Sequence, residues 1–258
     1  PPGYSIAVGF INPSDLAFDE ETSNSIEIGF KSTLDNGRYQ INGSLFHQSF
    51  KGYTSRANNV SYYSGASMLP TDVHDSNVQG GITYNGDAVV KGAEIDINGV
   101  LTENWTAFLA ASYTDAKFDG AERPTRNFNT PSAPGELLYT TSDSRIGPEP
   151  NWSLSASSEY TIPMGETEGF VRGLYKFTDN RADDGSNTNI GGFGLFDLFV
   201  GVRDSEGAWE ASLWSKNLFD KTARTAIGDT QVGTGFTEIS VTKERMIGIT
   251  GKYKFGAI

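Results

Sequence analysis

The stretch Trp152-Ser-Leu154-Ser-Ala156-Ser-Ser158-Glu-Tyr160-Thr-Ile162 places apolar or aromatic residues at nearly every even position and Ser, Glu or Thr at every odd one. Side chains alternate between the two faces of a β-strand, so this pattern predicts one face in hydrocarbon and one against a wet interior. Trp152 and Tyr160 are eight residues apart. At roughly 3.3 Å per residue and about 40° of tilt they are separated by about 20 Å along the membrane normal, near the spacing of two interfacial aromatic girdles. A half-buried strand of a soluble sandwich also alternates, so one strand does not decide between the two.

Recurrence shifts the balance. Trp105 and Tyr113 bracket a second such strand, Trp105-Thr-Ala107-Phe-Leu109-Ala-Ala111-Ser-Tyr113. Ile26, Ile28, Phe30 and Leu34 oppose Glu27, Gly29 and Lys31; Tyr39, Ile41, Gly43 and Leu45 oppose Gln40, Asn42, Ser44 and Gln48. Ala93, Ile95 and Ile97 alternate with Glu94, Asp96 and Asn98, and Ile247, Ile249, Tyr253 and Phe255 with Thr250, Lys252 and Lys254. The paired aromatics and the strand lengths favour the membrane.

Composition agrees. The 258 residues are 37% hydrophobic and 12% aromatic, with 30 Gly, no Cys and a formal net charge of -12. Mean hydropathy is -0.38. No run of about 18 apolar residues exists, which excludes a helical membrane protein but not a barrel, since a barrel needs apolar residues on one face only. The absence of Cys removes disulfides and thiolate chemistry. The acidic balance argues against nucleic acid as a partner.

Short turns are expected at Asp35-Asn36-Gly37, Thr102-Glu103-Asn104, Pro163 to Glu166 and Asp204 to Gly207, where Gly, Asn, Asp and Pro supply hairpin geometry. Long polar segments fall near 52–84, 119–149, 180–191 and 219–243. Short turns alternating with long loops match periplasmic turns and extracellular loops. Strands are expected near 25–35, 38–51, 85–101, 104–118, 150–162, 168–179, 192–203, 208–218 and 244–255, with Tyr4 to Phe10 as the top of another. Bacterial barrels take an even number of strands, and an open sheet edge is not viable in lipid. The fold expected is therefore all-β, an antiparallel transmembrane β-barrel of which residues 1–258 form one C-terminal portion of nine to ten strands, without an internal domain boundary.

Glu27-Ile28-Gly29-Phe30-Lys31, then Gly43-Ser44-Leu45-Phe46, Lys91-Gly92-Ala93-Glu94, and Lys216-Asn217-Leu218-Phe219-Asp220-Lys221 before a long loop and a final strand ending in an aromatic resemble the C-terminal barrel of TonB-dependent outer-membrane receptors. The similarity runs from about Ser14 to Phe255. The family usually finishes on an aromatic, whereas here Phe255 is followed by Gly256-Ala257-Ile258. The resemblance implies a 22-stranded barrel in the bacterial outer membrane, in contact with its lipid and lipopolysaccharide. It also implies an N-terminal plug inside the barrel and energy from the inner-membrane TonB complex acting through that plug. The plug and the first strands are not recognisable in this sequence. The expected function is active uptake of a scarce nutrient, ferric siderophore by family frequency, with oligosaccharide or cobalamin behind it. A passive porin and a soluble carbohydrate-binding sandwich are the readings from other classes.

Enzyme chemistry is not expected. His47 and His74 are the two histidines, and their contexts form neither a Ser-His-Asp nor a zinc constellation. Gly191-Gly192-Phe193-Gly194 opens a strand and lacks the helix N-terminus that makes a phosphate loop work. No cofactor is expected. A loop-bound Ca2+ has one candidate set in Asp179, Asp183, Asp184 and Asn187 around Gly185, oxygen ligands suited to a hard cation but without EF-hand spacing. Tyr62 and Tyr63, with Asp72, His74 and Asp75 nearby, combine flat apolar faces with hydrogen-bonding groups, as a small nutrient ligand requires. Arg123 and Arg126 are candidates to pair with an anionic ligand or with plug carboxylates. Glu94, Asp96, Glu159, Arg172, Lys176, Asp197 and Arg203 are expected to face the lumen, hydrating it or gripping the plug.

Overall fold

A computed structural model describes residues 3–4, 17–60, 80–124, 139–142, 145–147, 149–182, 189–227 and 236–255. Nine strands form one sheet: β1 (Thr22–Leu34), β2 (Tyr39–Val60), β3 (Gly80–Thr102), β4 (Trp105–Phe118), β5 (Trp152–Met164), β6 (Thr167–Thr178), β7 (Phe193–Asp204), β8 (Trp209–Lys216) and β9 (Met246–Tyr253). Their spatial order is their chain order, an uninterrupted antiparallel meander from β1 to β9. The residues group into two compact units. One comprises Glu27–Leu45, Gly92–Thr114 and Gly147–Ile258; the other comprises Pro1–Ile26, Phe46–Lys91 and Asp115–Ile146.

The first unit contains part of all nine strands. The turns fall where Gly, Asn and Asp predict them: Asp35, Asn36 and Gly37 have φ of 51°, 54° and 93°, and Gly165 and Gly207 have φ of 77° and 79°. Those left-handed values suit Gly and Asn best and give the backbone twist a tight hairpin needs. Register then sets the faces. Trp105 pairs with Tyr160, Tyr160 with Val171, Val171 with Val200, Val200 with Leu213 and Leu213 with Ile249, one apolar row across six strands. Leu213 and Ile249 are 54% and 82% exposed, so this face is uncovered by protein. A water-facing sheet surface this apolar would be an aggregation site; in hydrocarbon it is the stable one. The alternate positions carry Glu159, Arg172, Asp197 and Arg203.

The second unit has a small core of its own, Tyr84, Ala88, Phe118 and Ala121, with Phe50, Tyr53 and Ile146 packed on it. Tyr53 meets Phe50 and Phe118 edge-on, with ring centroids at 5.5 and 6.1 Å. Asn85 ties this unit together: Nδ2 donates to the carbonyls of Gly52 and Asp19, and Oδ1 accepts the Asp19 N–H. Asp115 accepts from Lys117 at 3.1 Å.

The strands reach further than alternation predicts. β2 runs to Val60 and β3 begins at Gly80, inside the segment expected as loop from 52 to 84. Apolar residues such as Tyr53 and Tyr84 are sparse there, so the period-2 signal fades while the backbone ladder continues. The other long connections also carry short hairpins, Ala121–Pro124 with Tyr139–Ser142, Arg181–Ala182 with Asn189–Ile190, and Arg224–Ile227 with Ile239–Val241. Of the segment Tyr4 to Phe10, Tyr4 pairs with Ala17; residues 5–10 lie outside the described residues.

Candidate lumen wall and strand clasp

The inward positions of β5 to β7 converge on one ion-pair network. Arg172 on β6 donates to Glu159 Oε2 on β5, and Arg203 Nη1 on β7 lies 2.8 Å from Glu159 Oε1. Arg203 Nε reaches Glu168 Oε2 at 3.0 Å. Phe170 is 1% exposed and takes both guanidiniums over its ring, each 5.3 Å from the centroid. Gly201, opposite Phe170, makes this possible: a Cβ there would stand 2.7 Å from the ring. Two carboxylates and two guanidiniums balance, and their partial burial makes each dependent on the others.

Along the same face, from β1 to β6, lies a concavity of about 790 Å³ lined by Glu27, Lys31, Asn42, Glu94, Asp96 and Lys176 among others. Asn42 Nδ2 donates to Asp96 Oδ2 at 2.7 Å. Glu27, Lys31, Glu94 and Lys176 form no ion pair among the described residues. The wall thus has a self-neutralised part near the short turns and a part that offers both signs of charge to whatever fills the interior.

The Asn217-to-Lys221 motif is a clasp between β8, β9 and β7. Asn217 is 5% exposed with φ of 49°. Its Nδ2 donates to the carbonyls of Lys221 and Lys243 at 3.0 and 2.8 Å, its Oδ1 accepts the Lys221 N–H at 2.8 Å, and its own N–H donates to Asp197 Oδ1 at 2.8 Å. Asp220 Oδ1 accepts the Arg245 N–H at 2.8 Å. Thr242 Oγ1 donates to the Lys221 carbonyl and accepts the Ala223 N–H. Phe219 leaves the motif and lies against Phe196, ring centroids 5.8 Å apart. Only a side chain with both an acceptor and two donors, on a short stem tolerating positive φ, fills the Asn217 position.

Of the residues singled out from sequence, Tyr62, Tyr63, Asp72, His74, Asp75 and Arg126 lie outside the described residues. Arg123 is in the short strand Ala121–Pro124, its backbone opposite Thr140. Asp183, Asp184 and Asn187 also lie outside; Asp179 is described, with its N–H donating to the Trp152 carbonyl and its Oδ1 accepting the Asn180 N–H. Among the described residues no group of three His, Asp or Glu is placed to hold a metal. His47 is exposed on β2. Glu159, Arg172 and Arg203 are brought together, whereas Asp197 serves the clasp. Sequence reasoning missed Glu168, Phe170 and Thr242; the two-residue spacing of Glu168, Phe170 and Arg172 was the signal available for the first two.

Residues 2–218 match the family described as TonB dependent receptor-like, beta-barrel. No curated protein matches the chain. Among solved structures, it is similar to the ferric yersiniabactin uptake receptor FyuA from Yersinia pestis, at 18% identity and TM-score 0.62 over 93% of this chain and 31% of that one. It is similar to BauA, the ferric preacinetobactin receptor from Acinetobacter baumannii, at 12% identity and TM-score 0.57 over 96% of this chain and 32% of that one. The copper transporter OprC gives 18% identity and TM-score 0.58 over 91% of this chain and 31% of that one. The chain spans about a third of the length of these structures.

Proposed function

The chain belongs to the TonB dependent receptor-like β-barrel family, and from that premise we propose that it forms the C-terminal barrel wall of a receptor importing ferric siderophore with energy from TonB. As a family member it is an outer-membrane transport protein and not an enzyme. The observation carrying the proposal is the family match over residues 2–218, joined to an inner wall where Glu27, Lys31, Glu94 and Lys176 form no ion pair among the described residues, which suits a protein-filled lumen. In this reading the remaining strands and a plug complete the protein, and the plug takes the free wall charges. Ferric siderophore is favoured because FyuA and BauA are named as ferric receptors; OprC, a copper transporter, keeps a metal without siderophore as the second reading.

The test uses the full-length receptor in outer membrane of iron-starved cells. Uptake of radiolabelled ferric siderophores is measured with and without TonB, and copper accumulation in parallel. Siderophore uptake that is lost when TonB is removed supports the proposal. Copper accumulation alone would move the assignment to the second reading, and solute flux unchanged without TonB would replace active transport with passive diffusion.

A further inference from the structure

Asn-Gly occurs four times in the chain, at 36–37, 42–43, 85–86 and 98–99. The dipeptide carries its own chemistry. The backbone nitrogen of the glycine can attack the side-chain carbonyl carbon of the asparagine, because no Cβ crowds the nucleophile. Attack needs that nitrogen released from its hydrogen bond and the backbone free to rotate, so the fold decides which of the four sites reacts. Three of them lie inside β2 or β3, which have a hydrogen-bonded strand on either side. Asn42 Nδ2 donates to Asp96 Oδ2 at 2.7 Å, and the Asn85 side chain is held by the carbonyls of Gly52 and Asp19 and by the Asp19 N–H. The glycines of these pairs are packed. A Cβ would stand 2.6 Å from the Phe30 ring at Gly43, 2.5 Å from Ala121 Cβ at Gly86 and 3.1 Å from the Tyr39 ring at Gly99.

The fourth pair is built differently. Asn36 is exposed in the turn between β1 and β2, with φ of 54°, and its side chain forms no hydrogen bond among the described residues. Nothing lies within 4 Å of the place a Gly37 Cβ would take. Two backbone hydrogen bonds span the turn, from the Gly37 N–H to the Leu34 carbonyl at 3.2 Å and from the Arg38 N–H to the Asp35 carbonyl at 3.1 Å. The ion pair of Arg38 with Asp35 is half exposed and adds little restraint. Freeing the Gly37 nitrogen therefore costs a local opening at the tip of one hairpin, whereas freeing Gly43, Gly86 or Gly99 costs ladder and packing inside the sheet.

We propose that Asn36 is a site of spontaneous modification, converting to aspartate and isoaspartate through a succinimide. The Gly37 nitrogen bonds to Asn36 Cγ and gives its proton to solvent, while the Cγ–Nδ2 bond breaks and the side-chain nitrogen leaves as ammonia. Water then opens the ring. Opening at Cγ gives aspartate, and opening at the main-chain carbonyl gives isoaspartate, with no oxidation in either branch. Both products place a new negative charge beside Asp35 in a chain whose net charge is already -12. Isoaspartate also inserts a carbon into the backbone where Asp35, Asn36 and Gly37 hold φ of 51°, 54° and 93°, so the hairpin end no longer closes in the same form. The site depends on this turn and not on the transported solute.

Purified full-length receptor is incubated in mildly alkaline buffer, folded in detergent in one series and unfolded in urea in the other. Peptides covering the four pairs are followed by mass spectrometry, with isoaspartate identified from its backbone fragments. In the folded receptor Asn36 should convert at least about tenfold faster than Asn42, Asn85 and Asn98, and in urea the four rates should converge to within about threefold. Equal rates at the four sites in the folded receptor would overturn the proposal. So would an equally large lead of Asn36 in urea, which would make the neighbouring residues rather than the turn the cause.

Discussion

Replacing Leu109 with arginine puts a charge at the place in the sheet where it has least escape. Leu109 is 37% exposed on the apolar face, opposite Ala156, midway between Trp105 and Tyr113 on the same strand. Four residues at roughly 3.3 Å and about 40° of tilt leave about 10 Å to either girdle, beyond the reach of a snorkelling guanidinium. Leu109→Arg should therefore cost about 2–4 kcal/mol, about thirty- to a thousandfold in the ratio of inserted to unfolded receptor. Ala110 is the control: one residue along, it pairs with Ser155 on the lumen face and borders the concavity, so Ala110→Arg should cost about 0–1 kcal/mol. Urea titration of full-length receptor folding into lipid vesicles, followed by the heat-modifiable band, measures both. A reversed ranking would mean that the register is one residue out, and equal tolerance would remove this strand from the membrane.

Asn217→Ala removes three side-chain hydrogen bonds from a 5% exposed site and should lower stability by about 2–4 kcal/mol, read as a lower urea midpoint; a change under about 0.5 kcal/mol would deny the clasp its role. Glu159→Gln strips Arg172 and Arg203 of their shared partner and should cost about 1–2 kcal/mol at these half-buried positions, while a double cycle with Arg203→Met should show coupling of at least about 0.5 kcal/mol. A Cβ on Gly248 would stand 2.3 Å from the Trp214 ring, so Gly248→Ala should displace the indole and break its Nε1 hydrogen bond to Thr250, visible as a shifted tryptophan emission; an unchanged spectrum would contradict the packing. Phe236→Cys should react with a membrane-impermeant maleimide on intact cells and Asn36→Cys and Glu206→Cys should not, because alternate connections lie on opposite sides of the membrane; labelling of all three would sink the topology.

The nine strands were legible because the bilayer imposes a single rule on them. Every second residue from Trp152 to Ile162 must suit hydrocarbon, and its neighbours must not, so the period survives in composition even where individual residues are unremarkable. The hairpins were legible for a local reason: Asp35-Asn36-Gly37 and Gly207 occupy left-handed conformations that few other residues tolerate. The far ends of β2 and β3 were not legible, since their apolar residues, Phe50, Tyr53, Tyr84 and Ala88, are too sparse to set a period and the ladder is held by backbone groups that every residue carries. Nor were the partners in the lumen. Alternation puts Glu159, Arg172 and Arg203 on one face, but the match of Glu159 to two guanidiniums on two strands depends on cross-strand register, which alternation alone does not fix.

The motif Asn217-Leu-Phe-Asp-Lys shows how a recognisable string differs from an understood one. Its letters mark the family, yet they do not say that Asn217 bridges to Lys243, twenty-six residues on, or that Asp220 receives Arg245. Those contacts close a long polar connection back onto the strand that leaves it, at the boundary where the backbone passes from loop to membrane. There an unpaired carbonyl or N–H is costly on the lipid side and free on the water side, so the first residues of β9 need a fixed partner before the ladder begins. Asn217, Asp220 and Thr242 supply it from side chains, while Phe219, Lys221 and Arg245 stay exposed. Asn217→Ala should therefore speed hydrogen exchange at the Lys221 amide, whose partner is Asn217 Oδ1, and leave the ladder amides of β5 and β6 protected; unchanged exchange at Lys221 would deny the clasp its role.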